Sequence, residues 1–225
     1  VYPDLHWDTW IGAGAGLLRV GDASIYFRAD VETIAGNTRR AFDAAQVNYH
    51  LEPGVRVNLG QEREADLFFH HVSRHVIDTE KTPSVEWNIV GVRGSMSVPR
   101  HPVRLTASIG RVVQEAYVHY QWELVGQVEA DALRRPWGAV YVTTLGRGVT
   151  TETSPASPRS GFFDFLLEGG VRWSRGERAA QLFVAYEHRN DVLVLEPGYK
   201  DRALIGFRLG LRSSTPAPWS STPAP

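Results

Sequence analysis

Residues 46–60 read Gln-Val-Asn-Tyr-His-Leu-Glu-Pro-Gly-Val-Arg-Val-Asn-Leu-Gly. Val47, Tyr49, Leu51, Val55, Val57 and Leu59 fall on one parity, and Gln46, Asn48, His50, Glu52, Arg56 and Asn58 on the other. Successive side chains of a strand point to opposite faces, so the stretch describes a strand with one apolar and one polar face. The same residues wound as a helix would scatter both sets around its circumference. Pro53-Gly54 interrupts the run without changing the parity of the flanking apolar residues, which predicts a bulge inside one long strand rather than a hairpin.

The alternation recurs along the chain. Within 23–35, Ala23, Ile25, Phe27, Ala29 and Val31 alternate with Ser24, Tyr26, Arg28, Asp30 and Glu32. Stretches 117–128, 161–173, 179–188 and 202–212 repeat the pattern, and 7–20, 64–76, 85–97, 102–113 and 137–147 carry it less cleanly. Turn-forming residues separate them: Gly21-Asp22, Gly60-Gln61, Pro99, Arg135-Pro136, Ser174-Arg175-Gly176 and Pro197-Gly198. No stretch has the 3.6-residue period of an amphipathic helix. Eleven candidate strands result. Single-chain bacterial membrane barrels have even strand numbers, so 10 or 12 is expected, either by losing the Gly-rich first segment or by splitting the strand at Pro53-Gly54.

Composition narrows the class. The chain has 225 residues, 24 basic and 25 acidic side chains and a formal charge of −1. That balance argues against a nucleic-acid partner or a polybasic membrane-surface protein. The absence of cysteine excludes disulfide scaffolds, thiol catalysis and Cys-ligated metal sites. The first residue is Val1, so a processed or trimmed chain is expected, a removed secretory signal being one source. No apolar run approaches the ~20 residues a membrane helix needs, but the alternating strands of a membrane barrel hide from average hydropathy.

Three features favour a membrane barrel over a soluble one with an apolar core. The segments run ~10–15 residues against ~5–6 in most soluble strands. Charges of both signs crowd the polar face. Trp7, Trp10, Trp87, Trp137, Trp173 and Tyr186 fall near strand ends, where interfacial girdles place aromatics. The expectation is an all-β, transmembrane, antiparallel up-and-down β-barrel of 10–12 strands over residues 1–212. Arg28, Asp30, Glu32, Arg56, Glu123, Asp164, Glu168 and Arg172 would face a narrow lumen and pair across it. Long outer loops are expected near 36–41, 78–83, 147–159 and 190–200.

The composition changes after Arg212. Residues 213–218 read Ser-Ser-Thr-Pro-Ala-Pro and 220–225 repeat them, with Trp219 between. This Ser/Thr/Pro-rich tail, 213–225, should be extended. Pro216, Pro218, Trp219 and Pro223 are the candidates for docking on a protein partner or on the barrel mouth.

One cluster carries chemistry. Three of the eight histidines fall within Phe68-Phe69-His70-His71-Val72-Ser73-Arg74-His75. His71, Ser73 and His75 share the apolar, lipid-facing parity with Ala65, Leu67 and Phe69. A Ser and a His two apart on a strand supply half of a nucleophile–base pair. Ser73 is the candidate nucleophile, His71 its base and Glu86 the orienting carboxylate, with Asp78 and Glu80 as alternatives. Strand rise alone separates His71 from His75 by ~13 Å, too far to share one ion, so neither metal nor cofactor is expected. Gly12-Ala13-Gly14-Ala15-Gly16 mimics a dinucleotide fingerprint, but no βα pattern follows it; the small residues are expected to relieve crowding inside a curved strand.

Over residues 8–96 the chain resembles a family of bacterial outer-membrane β-barrels with a Gly-rich first strand and a His-x-Ser-Ser-His-Leu-Gly-Asp motif. The matching residues here are His71-Val72-Ser73-Arg74-His75-Val76-Ile77-Asp78, with Arg74 at the second Ser and Val76-Ile77 at Leu-Gly. His71, Ser73 and Glu86 are also similar, in order and approximate spacing, to lipid A 3-O-deacylases, which carry His-x-Ser on one strand and Glu on the next; Arg74 stands where those enzymes have Asn. The resemblances imply a Gram-negative outer-membrane location, contact with outer-membrane lipid or lipopolysaccharide, and acyl-ester hydrolysis as one activity. The readings are a structural or interaction barrel acting through loops and tail, a lipid A or phospholipid acyl hydrolase, and a narrow channel.

Overall fold

Eleven strands follow one another: β1 Leu5–Val20, β2 Ala23–Gly36, β3 Asp43–Gly60, β4 Arg63–Val76, β5 Val85–Ser97, β6 Val103–Ala116, β7 Tyr120–Arg135, β8 Gly138–Thr151, β9 Gly161–Arg175, β10 Arg178–Asn190 and β11 Tyr199–Leu211. The computed structural model describes residues 5–37, 42–77, 85–153, 159–175, 178–193 and 198–211, and among these there is no helix. Each strand pairs antiparallel with the next, so sheet order is chain order. The sheet curls into a half-barrel. Arg189 on β10 reaches Glu32 on β2 (2.7 Å), and Arg202 on β11 reaches Asp8 on β1 (2.9 Å).

The even strand number does not hold: the number is eleven, and both doubtful segments are strands. No backbone ladder joins β1 to β11 among the described residues, so the evenness of a closed barrel does not bind this sheet. The bulge expected at Pro53-Gly54 is also absent. Pro53 pairs with Phe27 and Gly54 with Tyr26, and neither neighbouring register shifts there. Pro53 cannot donate, so the ladder to β4 skips it while the strand runs on. Gly54 instead makes room for a ring: a Cβ there would lie 2.5 Å from Tyr26.

Connections sort by end. Short turns join β1–β2, β3–β4, β5–β6, β7–β8 and β9–β10; the longer β2–β3, β4–β5, β8–β9 and β10–β11 connections lie at the opposite end, together with the short β6–β7 connection, residues 117–119. Three of the four expected loops match these positions; the fourth is shorter than 147–159 because β8 continues to Thr151.

The concave face holds the charges. Glu52 accepts from Tyr26 (3.0 Å) and from both Arg93 terminal nitrogens (2.9 and 2.7 Å), and Arg56 grips Asp66 with two bonds (2.8 and 3.0 Å). Arg147 bridges Glu123 and Asp164, Arg172 bridges Glu129 and Asp131, and Arg208 holds Glu168. Ionic groups out of bulk water are tolerable only when paired in this way.

Towards the loop end the concave face turns apolar. Phe68, Val72, Val85, Trp87, Ile89, Val112, Tyr120 and Val149 form one buried cluster. Each large aliphatic or Phe side chain in it contributes about 1.5–3 kcal/mol. Trp87 is almost wholly buried here and Trp10 lies against His50, so neither belongs to an outer girdle. Parity decides both: Trp87 alternates in step with Ile89, and Trp10 with Asp8 and Gly12. Gly12 meets the crowding expected of the Gly-rich strand, since a Cβ there would strike the Asp30 carboxylate.

The convex face carries Ile11, Leu67, Val92, Leu124, Phe163, Leu182, Ile205 and Phe207, all exposed. An aromatic pair marks each of its two ends. Trp7 stacks on Phe42 at the loop end, and Trp137 lies beside Trp173 at the turn end.

Candidate functional site

Alternation on β4 sends His71, Ser73 and His75 to the convex face and His70, Val72 and Arg74 to the concave one. The antiparallel register with β5 then sets Ser73 opposite Glu86 and His71 opposite Asn88. On the other side Tyr49 of β3 pairs with Ser73. The outcome is a polar island near the loop end of an otherwise apolar surface.

Within it, Ser73 Oγ lies 2.7 Å from His75 Nε2. The partner of Ser73 is therefore His75, the residue two further along, and not His71. His71 turns its Nδ1 to Asn88 Oδ1 at 2.7 Å. Asn88 Nδ2 donates to Gln114 Oε1 at 3.0 Å, which leaves Oδ1 as the acceptor and Nδ1–H of His71 as the donor. His71 Nε2 is then the basic nitrogen. Tyr49 meets the His75 ring edge-on, centroids 5.6 Å apart, and limits its rotation. Glu86 sits across from Ser73 but hydrogen-bonds neither ring among the described residues. Ser73 itself is buried beneath these neighbours. A serine paired to an imidazole, with a carboxylate one strand away, can support acyl transfer once the carboxylate swings to a ring. The alternative carboxylates Asp78 and Glu80, and the tail residues Pro216, Pro218, Trp219 and Pro223, lie outside the described residues. Among the described residues no three histidine or acidic side chains converge as a metal site.

No protein-family model, curated protein or solved structure matches this chain.

A second constellation escaped the sequence reading. Asp191, just after β10, adopts a left-handed backbone (φ 52°) and turns its carboxylate inward. It accepts from Tyr120 Oη (2.7 Å), from the Gly198 amide (3.0 Å) and from both Arg159 terminal nitrogens, one at 3.0 Å. Its backbone carbonyl accepts from Arg74, and the next carbonyl, of Val192, accepts from Gln46 (3.1 Å). Burial alone would raise the Asp191 carboxyl. Arg159, the Gly198 amide and Tyr120 outweigh it and hold the group below the usual carboxylate range. Arg159 rises in return, its hydrogen bonds to Asp191 outweighing burial. The node ties β3, β4 and β7 to the β8–β9 and β10–β11 connections. Arg74 is one of its struts, and its guanidinium also lies 5.1 Å over Trp87.

Proposed function

We propose that this chain is an integral β-barrel of a Gram-negative outer membrane, with a largely closed polar interior, acting as a structural or interaction component rather than an open channel. The observation that carries the reading is the inversion of its two faces. Large apolar side chains from Ile11 to Leu209 stand exposed on the convex side, while the charges turn inward and pair. Monomeric soluble proteins rarely leave contiguous apolar patches beyond a few hundred Å² in water. Strands of 13–18 residues, tilted as in membrane barrels, cover the ~30 Å of a hydrocarbon core. The Asp191 node and the Trp87 cluster lie at the loop end of the concave side, which supports a scaffold over a pore. Contacts with lipopolysaccharide or a protein partner are assigned to the loops and to the 213–225 tail.

Flotation with phosphatidylcholine vesicles tests this directly. The folded chain should rise with the vesicles, resist alkaline carbonate and add no ohmic conductance to a planar bilayer. A chain that stays monomeric in water without detergent overturns the membrane reading, and a steady conductance overturns the closed interior.

A second reading rests on one contact, Ser73 to His75. It makes the convex polar island an acyl-ester hydrolase acting on membrane lipid, with Ser73 as nucleophile, His75 as base in place of His71, and Glu86 as the carboxylate within one strand. Release of fatty acid from lipid A or phosphatidylglycerol in mixed micelles, lost in Ser73→Ala, is its test.

A further inference from the structure

We propose that the convex surface at the turn end of β9, β10 and β11 binds one membrane-anchored anionic glycerophospholipid. The proposal rests on the membrane reading above and deepens it by naming a ligand.

The register builds the site. Ala180 of β10 pairs with Trp173 on one side and Leu209 on the other. Three convex side chains in one row thus run large, small, large, and adjacent strands lie ~4.8 Å apart. The row leaves a notch between wall strands ~10 Å apart, backbone to backbone, floored by a methyl group and walled by an indole and a leucine. Trp137, from the β7–β8 turn, extends the indole wall, its ring 6.5 Å from that of Trp173. The groove so formed has a volume of about 850 Å³, within the range of small-molecule sites.

The next row towards the turn supplies the charge. Arg175 and Arg178 are direct cross-strand partners, and both are exposed. Like charges opposite one another in a ladder are destabilising. No described residue pairs with either guanidinium, and the groove is lined by no acidic residue among the described ones; Glu177, in the turn between the two arginines, lies outside the described residues. Two exposed guanidinium groups at the rim of an apolar notch fit a phosphodiester held by both, with its acyl chain leading away over Ala180. The flanking tryptophans lie where amphipathic rings sit at headgroup depth. A second copy of the chain is the poorer occupant, because a two-fold contact would bring this arginine pair against itself.

The test is native mass spectrometry of the detergent-purified protein titrated with dioleoylphosphatidylglycerol or dioleoylphosphatidylcholine. The wild type should retain the phosphatidylglycerol about thirtyfold better, the ratio expected of two arginines at a lipid surface. Arg175→Gln/Arg178→Gln should bring the two lipids within about twofold of each other. Ala180→Leu, which fills the notch and keeps the charge, should weaken both. Arg63→Gln/Arg100→Gln, at the same end but on β4 and in the β5–β6 turn, should leave the preference intact. Preference that survives Arg175→Gln/Arg178→Gln, or that falls equally in the Arg63/Arg100 pair, overturns the site. Vesicle flotation of the same preparations separates the two failures: protein that floats without lipid preference refutes only the groove, and protein that never floats refutes the membrane reading beneath it.

Discussion

Glu52 and Arg93 decide which face of the sheet is dry. The Glu52 side chain is 8% exposed and that of Arg93 15%, so neither charge is well solvated. Glu52→Leu strips Arg93 of its two-bond partner, leaving it Asp66 at 3.5 Å, and removes the acceptor of Tyr26 Oη. Breaking a buried pair costs about 3–5 kcal/mol and losing the tyrosine's bond about 1 kcal/mol more. A total near 4 kcal/mol is expected, since Asp66 recovers part of the loss. Arg93→Met should cost less, about 2 kcal/mol, because Glu52 keeps Tyr26 and Arg28 as donors and Met still packs on Phe68. The double variant removes both members of the pair, leaves only Arg28 without its 3.4 Å contact to Glu52, and should cost about 3 kcal/mol, a coupling of about 3 kcal/mol. Urea unfolding of protein refolded into phosphatidylcholine vesicles, followed by tryptophan fluorescence, reads all three. Additivity within about 0.5 kcal/mol, or single costs below 1 kcal/mol, would mean a solvated surface pair. The charged face would then be the wet exterior, and the inside-out reading of the sheet would be wrong.

Ser73→Ala and His75→Gln should each lower fatty-acid release from lipid micelles at least ~100-fold if the island is an acyl hydrolase; His71→Gln should cost far less, and equal losses at His71 and His75 would reject the dyad as drawn. Asp191, depressed in the folded state, contributes stability that is complete above its unfolded pKa of ~4 and is lost as pH falls through the lower folded value. The melting advantage of wild type over Asp191→Asn should therefore be full at pH 7 and shrink below pH ~4, and an advantage that grows on acidification would reverse the assignment. Gly91→Ala places a Cβ 2.5 Å from the Phe68 ring and 2.7 Å from the Ile109 carbonyl, so about 1–3 kcal/mol of unfolding free energy should be lost. Gly126→Ala, with nothing within 4 Å, should be neutral or gain up to ~1 kcal/mol, and equal effects at the two glycines would show that the rings are not packed as described. Amides of Ile11 and Ile205 on the two edge strands should exchange in vesicles as slowly as those of β6 and β7, because hydrocarbon tolerates no open edge; fast exchange confined to β1 and β11 would place water at the seam.

The sheet was legible because alternation is a one-dimensional signal. Any stretch with period two and turn residues at its ends declares both its strand and its faces, and the eleven candidates correspond to β1–β11 in order. Errors arose where the cause was not local. Pro53-Gly54 looked like a bulge because sequence shows the missing donor but not the Tyr26 ring lying against Gly54. Trp10 and Trp87 looked like girdle residues because their nearness to strand ends was visible and their concave neighbours were not. The evenness rule failed for a related reason. It is a statement about closure, and closure depends on whether β1 and β11, both running towards the turn end, find each other.

The polar island was legible only to the level of parity. His71, Ser73 and His75 share a face on any straight strand, and Glu86 follows one loop later. Which imidazole takes the hydroxyl is settled by side-chain reach and by competition. Asn88 opposite His71 claims that ring and fixes its tautomer, while Tyr49 steers His75. Neither competitor is near in sequence. The Asp191 node lay further out of reach, because its donors come from residues 120, 159 and 198 and its carbonyl's donor from residue 74. A single aspartate after a strand carries no pattern until folding gathers those partners. The same logic explains how Arg74 sits between Ser73 and His75 without disturbing them. Its position faces inward, so a long cation there leaves the convex His71, Ser73 and His75 row unchanged. It spends its charge on the far side of the sheet, fastening a loop to the concave core.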